Sequence, residues 1–509
     1  MVLKYYIYLL FLSVLITACN IKSKLEIFSD TTNKSKKFIV TFNQDSVSNN
    51  LNDSSDIKFI ISTFRGNEKR NYYGNSAPSG LEVIWKLYLG AGHTNASPKH
   101  GGNLWAGAGW TGQPLLISEK GKLFLIQGAF DHNLKKIDAE TGEIIWQYEF
   151  DDIIKGTGTI WENKKAPDEN NRFVIFQGSR RGYNFNRGGK NIFSFRAISF
   201  ISGEELFRMN IKPTISYSSD VDGSALVIND TGYIGLENGI FTVFNPDYQS
   251  GEESNDITVP EIINESYLFE RSDAARHGGN LVTESSPAFL FNKIFITAGS
   301  GRVYSYNPVS KDFDWKFYIG SDLDGTPVVT SDSCLLVSVE YQYIKGRGGL
   351  LKLNPLKPEE DAVEWYFPTK NFHFSSWDGG IIGTPAVNDL TKKAEEPFLA
   401  AFCAIDGNLY VVKYKETDGE DIGFDGKTMF PKPELVFNYH IGSSISSPVI
   451  VGNKIVAAGY GGIFLFEFDD NLDFTLLDKK SGSFEASPIV YNEKIYIACR
   501  DGYLYCLGN

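Results

Sequence analysis

One phrase recurs down this chain and limits what the chain can become. At 485–508 it reads EASPIVYNEKIYIACRDGYLYCLG: a small residue and Pro, an apolar run, a turn, a second apolar run, an Asp501-Gly502 turn, and a third run. Apolar runs of four to six residues between turns read as strands of a packed sheet. Asp-Gly between two of them is a hairpin signal. Variants of the phrase begin at Gly112, Ser285, Gly325, Gly383 and Ser446, and the copies are anchored on Pro114, Pro287, Pro327, Pro385, Pro448 and Pro488. Two degenerate copies begin at Gly156 and Gly223, which makes eight. Pro287 and Pro327 are 40 residues apart, as are Pro448 and Pro488. That spacing is the length of a propeller blade. No long stretch carries a helical period of apolar residues. The expected fold is all-β: an eight-bladed β-propeller of four-stranded antiparallel blades.

The copy from Gly112 is the fullest. Its strands are expected at 114–117, 122–127, 134–138 and 143–148, and are named A to D from the axis outward. The C–D turn is Asp138-Ala-Glu-Thr-Gly142, with Gly where a positive φ is expected. Trp146 follows on strand D, and Phe207, Trp315, Trp365 and Phe437 hold the equivalent place. An aromatic there can pack between blades. Pro at the start of strand A forfeits no essential ladder bond. The last copy ends at Gly508 after strand C, whereas 81–89, LEVIWKLYL, reads as a strand D that carries Trp85 and precedes the first strand A. The N-terminal strand is therefore expected to close the C-terminal blade, pairing edges that would otherwise be open.

Upstream of that strand the composition changes. Lys4, an apolar run over 5–16, and Ile16-Thr17-Ala18-Cys19 form a targeting segment too short to span a bilayer. The Ile-Thr-Ala-Cys sequence resembles a bacterial lipobox, which implies a signal peptide at 1–18 and a lipid anchor on Cys19. Residues 19–80 are rich in Ser, Asn, Asp and Lys and read as a flexible tether. Their apolar patches, 38–42 and 57–61, could add an edge strand, and the sequence leaves this open. The propeller is expected over 81–509. The net charge of −13 argues against broad nucleic-acid binding.

Asp138-Ala-Glu-Thr141-Gly142-Glu-Ile-Ile-Trp146 after a strand C resembles the repeat of the pyrroloquinoline-quinone (PQQ) enzymes. With the lipobox and tether, the whole is similar to PQQ-like propeller lipoproteins of outer-membrane assembly, the BamB type. This resemblance implies a lipid-anchored protein of the bacterial envelope, at the outer membrane. It implies a non-enzymatic scaffold whose partners are envelope proteins, including barrel-assembly components, with the membrane reached through the lipid. The alternative from the same fold is a PQQ-dependent dehydrogenase or a binder of a small ligand in the central funnel. Such dehydrogenases use PQQ, Ca²⁺, a catalytic Asp and commonly a vicinal Cys pair, and no adjacent cysteines occur here. The expectation is therefore no enzyme and no cofactor.

Cys334, Cys403, Cys499 and Cys506 fall in expected B or C strands and read as small buried hydrophobes. A two-residue turn at Asp501-Gly502 would set Cys499 opposite Leu504, leaving Cys506 diagonal and unbridged. His100-Gly-Gly-Asn103 recurs as His277-Gly-Gly-Asn280. The two histidines are weak metal candidates without evident further ligands. Asp222 and Asp324 read as turn caps. The B–C loops carry Arg180, Arg181, Arg187, Lys190, Arg302, Lys345, Arg347 and Arg500. Aromatics lie among them or in the D–A loops on the same face: Trp105, Trp110, Tyr183, Phe185, Tyr341, Tyr343, Phe372, His373 and Trp377. That basic, aromatic rim is the candidate partner surface, with Arg180, Arg181, Arg187, Arg302, Lys345, Arg347 and Trp377 as its contact residues.

Overall fold

The structure, a computed structural model, describes residues 56–94, 103–181, 191–254 and 257–509. Cys19, His100, Arg187, Lys190, Tyr183, Phe185 and the signal peptide lie outside the described residues. Eight four-stranded antiparallel blades follow one another. Blade 1 is Leu115–Glu119, Lys122–Gly128, Asn133–Asp138 and Ile144–Glu149. The degenerate copies are full blades: blade 2 runs from Thr159–Glu162 to Glu205–Met209, and blade 3 from Leu226–Ile228 to Ile262–Tyr267. Blade 8 takes strands A to C from the C-terminus and strand D, Glu82–Tyr88, from the N-terminal side. Trp85 there pairs across to Cys506.

Four strand-D tryptophans each join their blade to the next. The indole N–H of Trp85 donates to Ala139 O (3.1 Å), of Trp146 to Phe200 O (3.1 Å), of Trp315 to Lys357 O (3.0 Å) and of Trp365 to Tyr414 O (2.8 Å). The first three acceptors lie at the C–D turn of the following blade, and Tyr414 lies within the long strand C of blade 6, Asn408–Ile422. The Gly of that turn explains why the motif needs it. Gly142 has φ +75, and a Cβ there would stand 2.8 Å from the Trp85 ring. Ring closure thus uses the same joint as blades 1 and 2: Trp85 of blade 8 sits over Gly142 of blade 1, as Trp146 sits over Gly203.

A second joint runs around the axis. The Ser or Thr before five of the six anchor prolines does more than fit a crowded centre. The backbone N–H of Ser286 donates to Thr326 Oγ1 (2.9 Å), of Thr326 to Thr384 Oγ1 (3.0 Å), of Thr384 to Ser447 Oγ (2.9 Å) and of Ser447 to Ser487 Oγ (3.3 Å). Ser224 N donates likewise to Ser286 Oγ (2.9 Å), and Gln113 N to Thr157 Oγ1 (2.8 Å). These hydroxyls form a belt that pairs buried backbone donors which no strand could reach.

Part of the expected tether belongs to the propeller. Ile57–Ile61 pairs antiparallel with strand A of blade 1, with Phe59 opposite Ile117. Residues 62–76 then fill the axis and satisfy the free inner edges of the other blades. Ile160 N donates to Ser62 O (2.9 Å), Phe289 N to Glu68 O (2.8 Å), Val329 N to Lys69 O (3.0 Å) and Val490 N to Tyr73 O (3.0 Å). Arg65 Nη2 reaches the carbonyls of Pro385 (3.1 Å) and Pro448 (2.7 Å), and Arg70 Nε that of Pro287 (2.8 Å). Thr63 Oγ1 approaches Ala225 O of blade 3 at 3.5 Å. One segment therefore touches all eight blades. Both arginines are buried, and burial pulls their pKa down, to about 9 for Arg70.

The last hairpin differs by one residue from expectation. Ala498, not Cys499, stands opposite Leu504, and Tyr496 faces Cys506, because Cys499 N closes a longer turn on Tyr503 O (2.8 Å). The four cysteines of the described residues are free and buried.

Candidate functional site

Stacking the eight repeats puts one residue per blade at a single level, two positions before the belt: Thr111, Lys155, Asp222, Glu284, Asp324, Ile382, Ile445 and Glu485. Each stands four residues before the start of its strand A. Lys155, Glu284, Asp324, Ile445 and Glu485 line an axial cavity of about 830 Å³. The B–C and D–A loops complete it, with Asp220, Glu237, Asp322 and Glu340 on the acidic side and Arg180, Arg181, Arg500, Trp105, Trp110, Trp377 and Tyr460 opposite in character. Seven carboxylates line it against four lysines and arginines, so the cavity is acidic.

The carboxylates form two related nests. Ser219-Asp220-Val221-Asp222-Gly223 enters blade 3, and Ser321-Asp322-Leu323-Asp324-Gly325 enters blade 5. Each is joined by the glutamate that follows strand B of its blade. Glu237 N donates to Asp220 O and Glu340 N to Asp322 O, both at 3.4 Å. Carboxylate oxygens of Asp222, Glu237 and Glu284 lie within 4.8 Å of one another, and so do those of Asp322, Asp324 and Glu340. Asp222 and Asp324 are therefore cavity acids. The turn-cap reading fails because their carboxylates meet other side chains rather than a neighbouring backbone N–H.

The blade-3 nest is filled by the protein's own cations. Lys155 Nζ forms a close ion pair with Asp222 and lies 3.5 Å from Glu284 and 4.0 Å from Glu237. Burial works against its charge, yet the surrounding carboxylates hold its pKa well above the ordinary value. Arg180 Nε pairs with Asp220 at 2.7 Å. Burial opposes ionisation of Asp220, but Arg180 and Lys155 outweigh it and hold the carboxyl below its usual range.

The blade-5 nest has no such partner. Among the described residues, no lysine or arginine is paired with Asp322, Asp324 or Glu340. Asp322 accepts from Asn280 Nδ2 at 2.6 Å through Oδ2, and its Oδ1 is unpartnered although the residue is only 5 % exposed. Asn280 Oδ1 is likewise unpartnered. Burial and mutual repulsion push Asp324 and Glu340 well above the carboxylate range, and burial raises Asp322. Glu284, between the nests, is raised by burial to about 7. The same cavity receives His277, stacked on Tyr343 at 4.4 Å. Its Nδ1 meets Gly299 O at 2.6 Å, Nε2 is unpartnered, and burial lowers its pKa, which favours the neutral ring. The His277-Gly-Gly-Asn280 motif thus supplies two cavity groups; its twin at His100 lies outside the described residues.

The structure divides the rim candidates. Arg180, Arg181 and Trp377 meet at the cavity, where Trp377 packs against Trp110, Ile382, Ile405 and Ile445. Arg181 N donates to Asp220 Oδ1 (3.1 Å). Arg302 is held instead by Asp273 (3.2 Å) and Glu270 (3.3 Å) over Tyr318, and Arg347 by Asp421 (2.9 Å). Lys345 is exposed beside the blade-6 hairpin. Arg500 pairs with Glu485 (3.0 Å). The rim is less basic than its arginine content suggests, because Arg180, Arg302, Arg347 and Arg500 each carry a carboxylate from a distant part of the sequence.

No family model and no curated protein matches the chain. Solved structures do. A europium-containing methanol dehydrogenase aligns over 86 % of this chain and 89 % of its own, at 12 % identity and TM-score 0.50. BamB from Moraxella catarrhalis aligns over 84 % of this chain and 100 % of its own, at 12 % identity and TM-score 0.49. The fold is that of the PQQ-like β-propellers. At that identity the likeness is one of fold. The PQQ-like propeller described here offers a donor set of carboxylate and amide oxygens, which suits a hard cation. It does not offer the vicinal cysteine pair expected beneath a quinone: Cys334, Cys403, Cys499 and Cys506 lie in or beside separate strands.

Proposed function

We propose that this PQQ-like propeller binds one hard divalent cation of the Ca²⁺ class in the blade-5 nest, at the base of a cavity that takes a small ligand. The observation that carries the reading is the set of three carboxyls, Asp322, Asp324 and Glu340, buried at one point without a protein cation. Buried carboxylates left uncompensated give up their charge or acquire a counter-ion. Oxygen donors from Asp322, Asp324, Glu340 and Asn280 fit Ca²⁺, which takes six to eight oxygens and completes its shell with water. The test is thermal unfolding of the purified protein in EDTA and in Ca²⁺. Ca²⁺ at a hundredfold excess over Kd stabilises by about 2.7 kcal/mol. Asp324→Asn should abolish the shift, and an equal shift in that variant would sink the reading.

A second reading, a scaffold for envelope proteins, is favoured by apolar side chains exposed around the same mouth. Ile215 is 60 % exposed, Tyr217 59 %, Phe372 50 % and Tyr343 48 %. On this reading Cys19 carries a lipid, and the rim, with Arg181, Lys345 and Trp377, meets a partner such as a barrel-assembly component. Affinity recovery from native membranes with Tyr217→Ala and Phe372→Ala tests it: undiminished recovery of every partner removes the rim from consideration. Release of Cys19→Ala to the soluble fraction tests the anchor.

A further inference from the structure

We propose that Lys155 is a built-in cation that occupies what would otherwise be a second metal site, so that the funnel takes one ion rather than two. The inference deepens the cation reading above and rests on it for the count of ions, but not for the role of Lys155.

The two nests share one frame. Ser-Asp-x-Asp-Gly, the following strand B glutamate, and the 3.4 Å bond from that glutamate's N–H to the first aspartate's carbonyl occur in both blades. Each gathers three carboxylates within 4.8 Å, with one change of member: the blade-3 nest takes Glu284 of blade 4 where the blade-5 nest takes its own first aspartate, Asp322. What differs is the residue that the neighbouring repeats bring to the same level. Blade 2 enters strand A on Lys155, whereas blade 6, on the other side of the blade-5 nest, enters on Ile382. The Lys155 ammonium lies within 4.0 Å of one oxygen from each of three carboxylates. A small cation on three carboxylates is the arrangement a metal ion adopts. Asp222 is buried, and the Lys155 ammonium is the cation in direct contact with its carboxylate. An ammonium is tethered and donates three bonds in fixed directions; an ion would draw in water and bind more oxygens. Lys155 therefore sets how many ions the cavity accepts.

The test counts ions. Full-length protein is titrated with Ca²⁺ by calorimetry and with Tb³⁺ by luminescence, which Trp110 and Trp377 in the cavity can sensitise. Wild type is expected to take one ion, Lys155→Met two, and Lys155→Arg, which keeps the charge, one. Adding Asp324→Asn to Lys155→Met should return the count to one. One ion in both wild type and Lys155→Met, at the same affinity, overturns the role of Lys155 and leaves the blade-5 reading standing. No ion in wild type and one in Lys155→Met overturns the blade-5 reading and supports the role of Lys155. Two ions in wild type, or none in either protein, overturns the inference. Three carboxyls without a cation can leave Lys155→Met too unstable to titrate. Its unfolding is then followed in EDTA and in Ca²⁺, where a gain in melting temperature well above that of wild type is expected. A gain equal to that of wild type, or no gain, contradicts the inference.

Discussion

Blades 3 and 5 place the same acidic sequence against the same cavity and treat it in opposite ways. In blade 3, Arg180 and Lys155 reach in from blade 2, and Asp220 is held below the ordinary carboxylate range. In blade 5 the matching Asp322 meets an amide from Asn280, and burial moves its pKa up. The repeat supplies the acids; the neighbouring repeat decides whether they are neutralised from within. A site in a repeat fold is therefore set by where the repeats fail to match.

The largest effect that would break this comparison comes from Lys155. Removing one partner of a buried ion pair costs about 3–5 kcal/mol, because the other charges stay buried. Lys155→Met should lose that much in EDTA at pH 8. The loss should shrink at pH 5, where the carboxyls can take up protons instead. Denaturant unfolding at the two pH values measures it, and an equal loss at both would contradict the ion-pair account.

The next effect has opposite signs in the two nests. Asp222→Asn should destabilise by about 3 kcal/mol, since it removes the closest partner of a buried ammonium. Asp324→Asn in EDTA should stabilise by about 1 kcal/mol, since it relieves crowding among buried acids. Two losses of similar size would show that blade 5 is compensated after all.

The pH dependence sharpens the contrast. Glu284 titrates near 7 in the folded chain, against 4.5 as its ordinary value. A raised carboxyl binds its proton more tightly when folded. The stability this gives is present below about 4.5 and fades as pH rises through 7. Asp324 and Glu340 act in the same direction. Without divalent cation, the protein should therefore lose stability from pH 5 to pH 8. Ca²⁺ should restore more at pH 8 than at pH 5, since binding displaces protons. A Ca²⁺ effect that is flat across this range would count against the blade-5 nest as the site. The smallest effect belongs to the rim: Arg347→Ala breaks a partly exposed pair with Asp421 and should cost less than about 1 kcal/mol.

The architecture was legible because its signals are local. The residue-plus-Pro start, the Asp-Gly and Thr-Gly turns and the strand-D Trp each mark one blade, and 81–89 announced the closing strand. The axial segment was not legible. Arg65, Arg70 and Asn71 look like tether composition, and nothing periodic betrays a stretch whose partners are the backbone edges of other blades. The cavity was legible only in part. Arg180, Arg181, Trp377 and His277 stand out as loop residues near the axis. The acids do not, because each repeat contributes one or two and the nest exists only when the repeats are stacked. The signal was present in Ser-Asp-x-Asp-Gly at 219–223 and 321–325, and in the residue at one fixed place of each repeat, where Lys155, Asp222, Glu284 and Asp324 follow in succession.

The most direct measurement is an anomalous difference map from crystals grown with Tb³⁺ in place of Ca²⁺. The account predicts one peak in the cavity, among Asp322, Asp324 and Glu340, with the Lys155 ammonium still seated between Asp222, Glu237 and Glu284. A map with no peak in the blade-5 nest, or with a peak that displaces Lys155 while that nest stays empty, would contradict it.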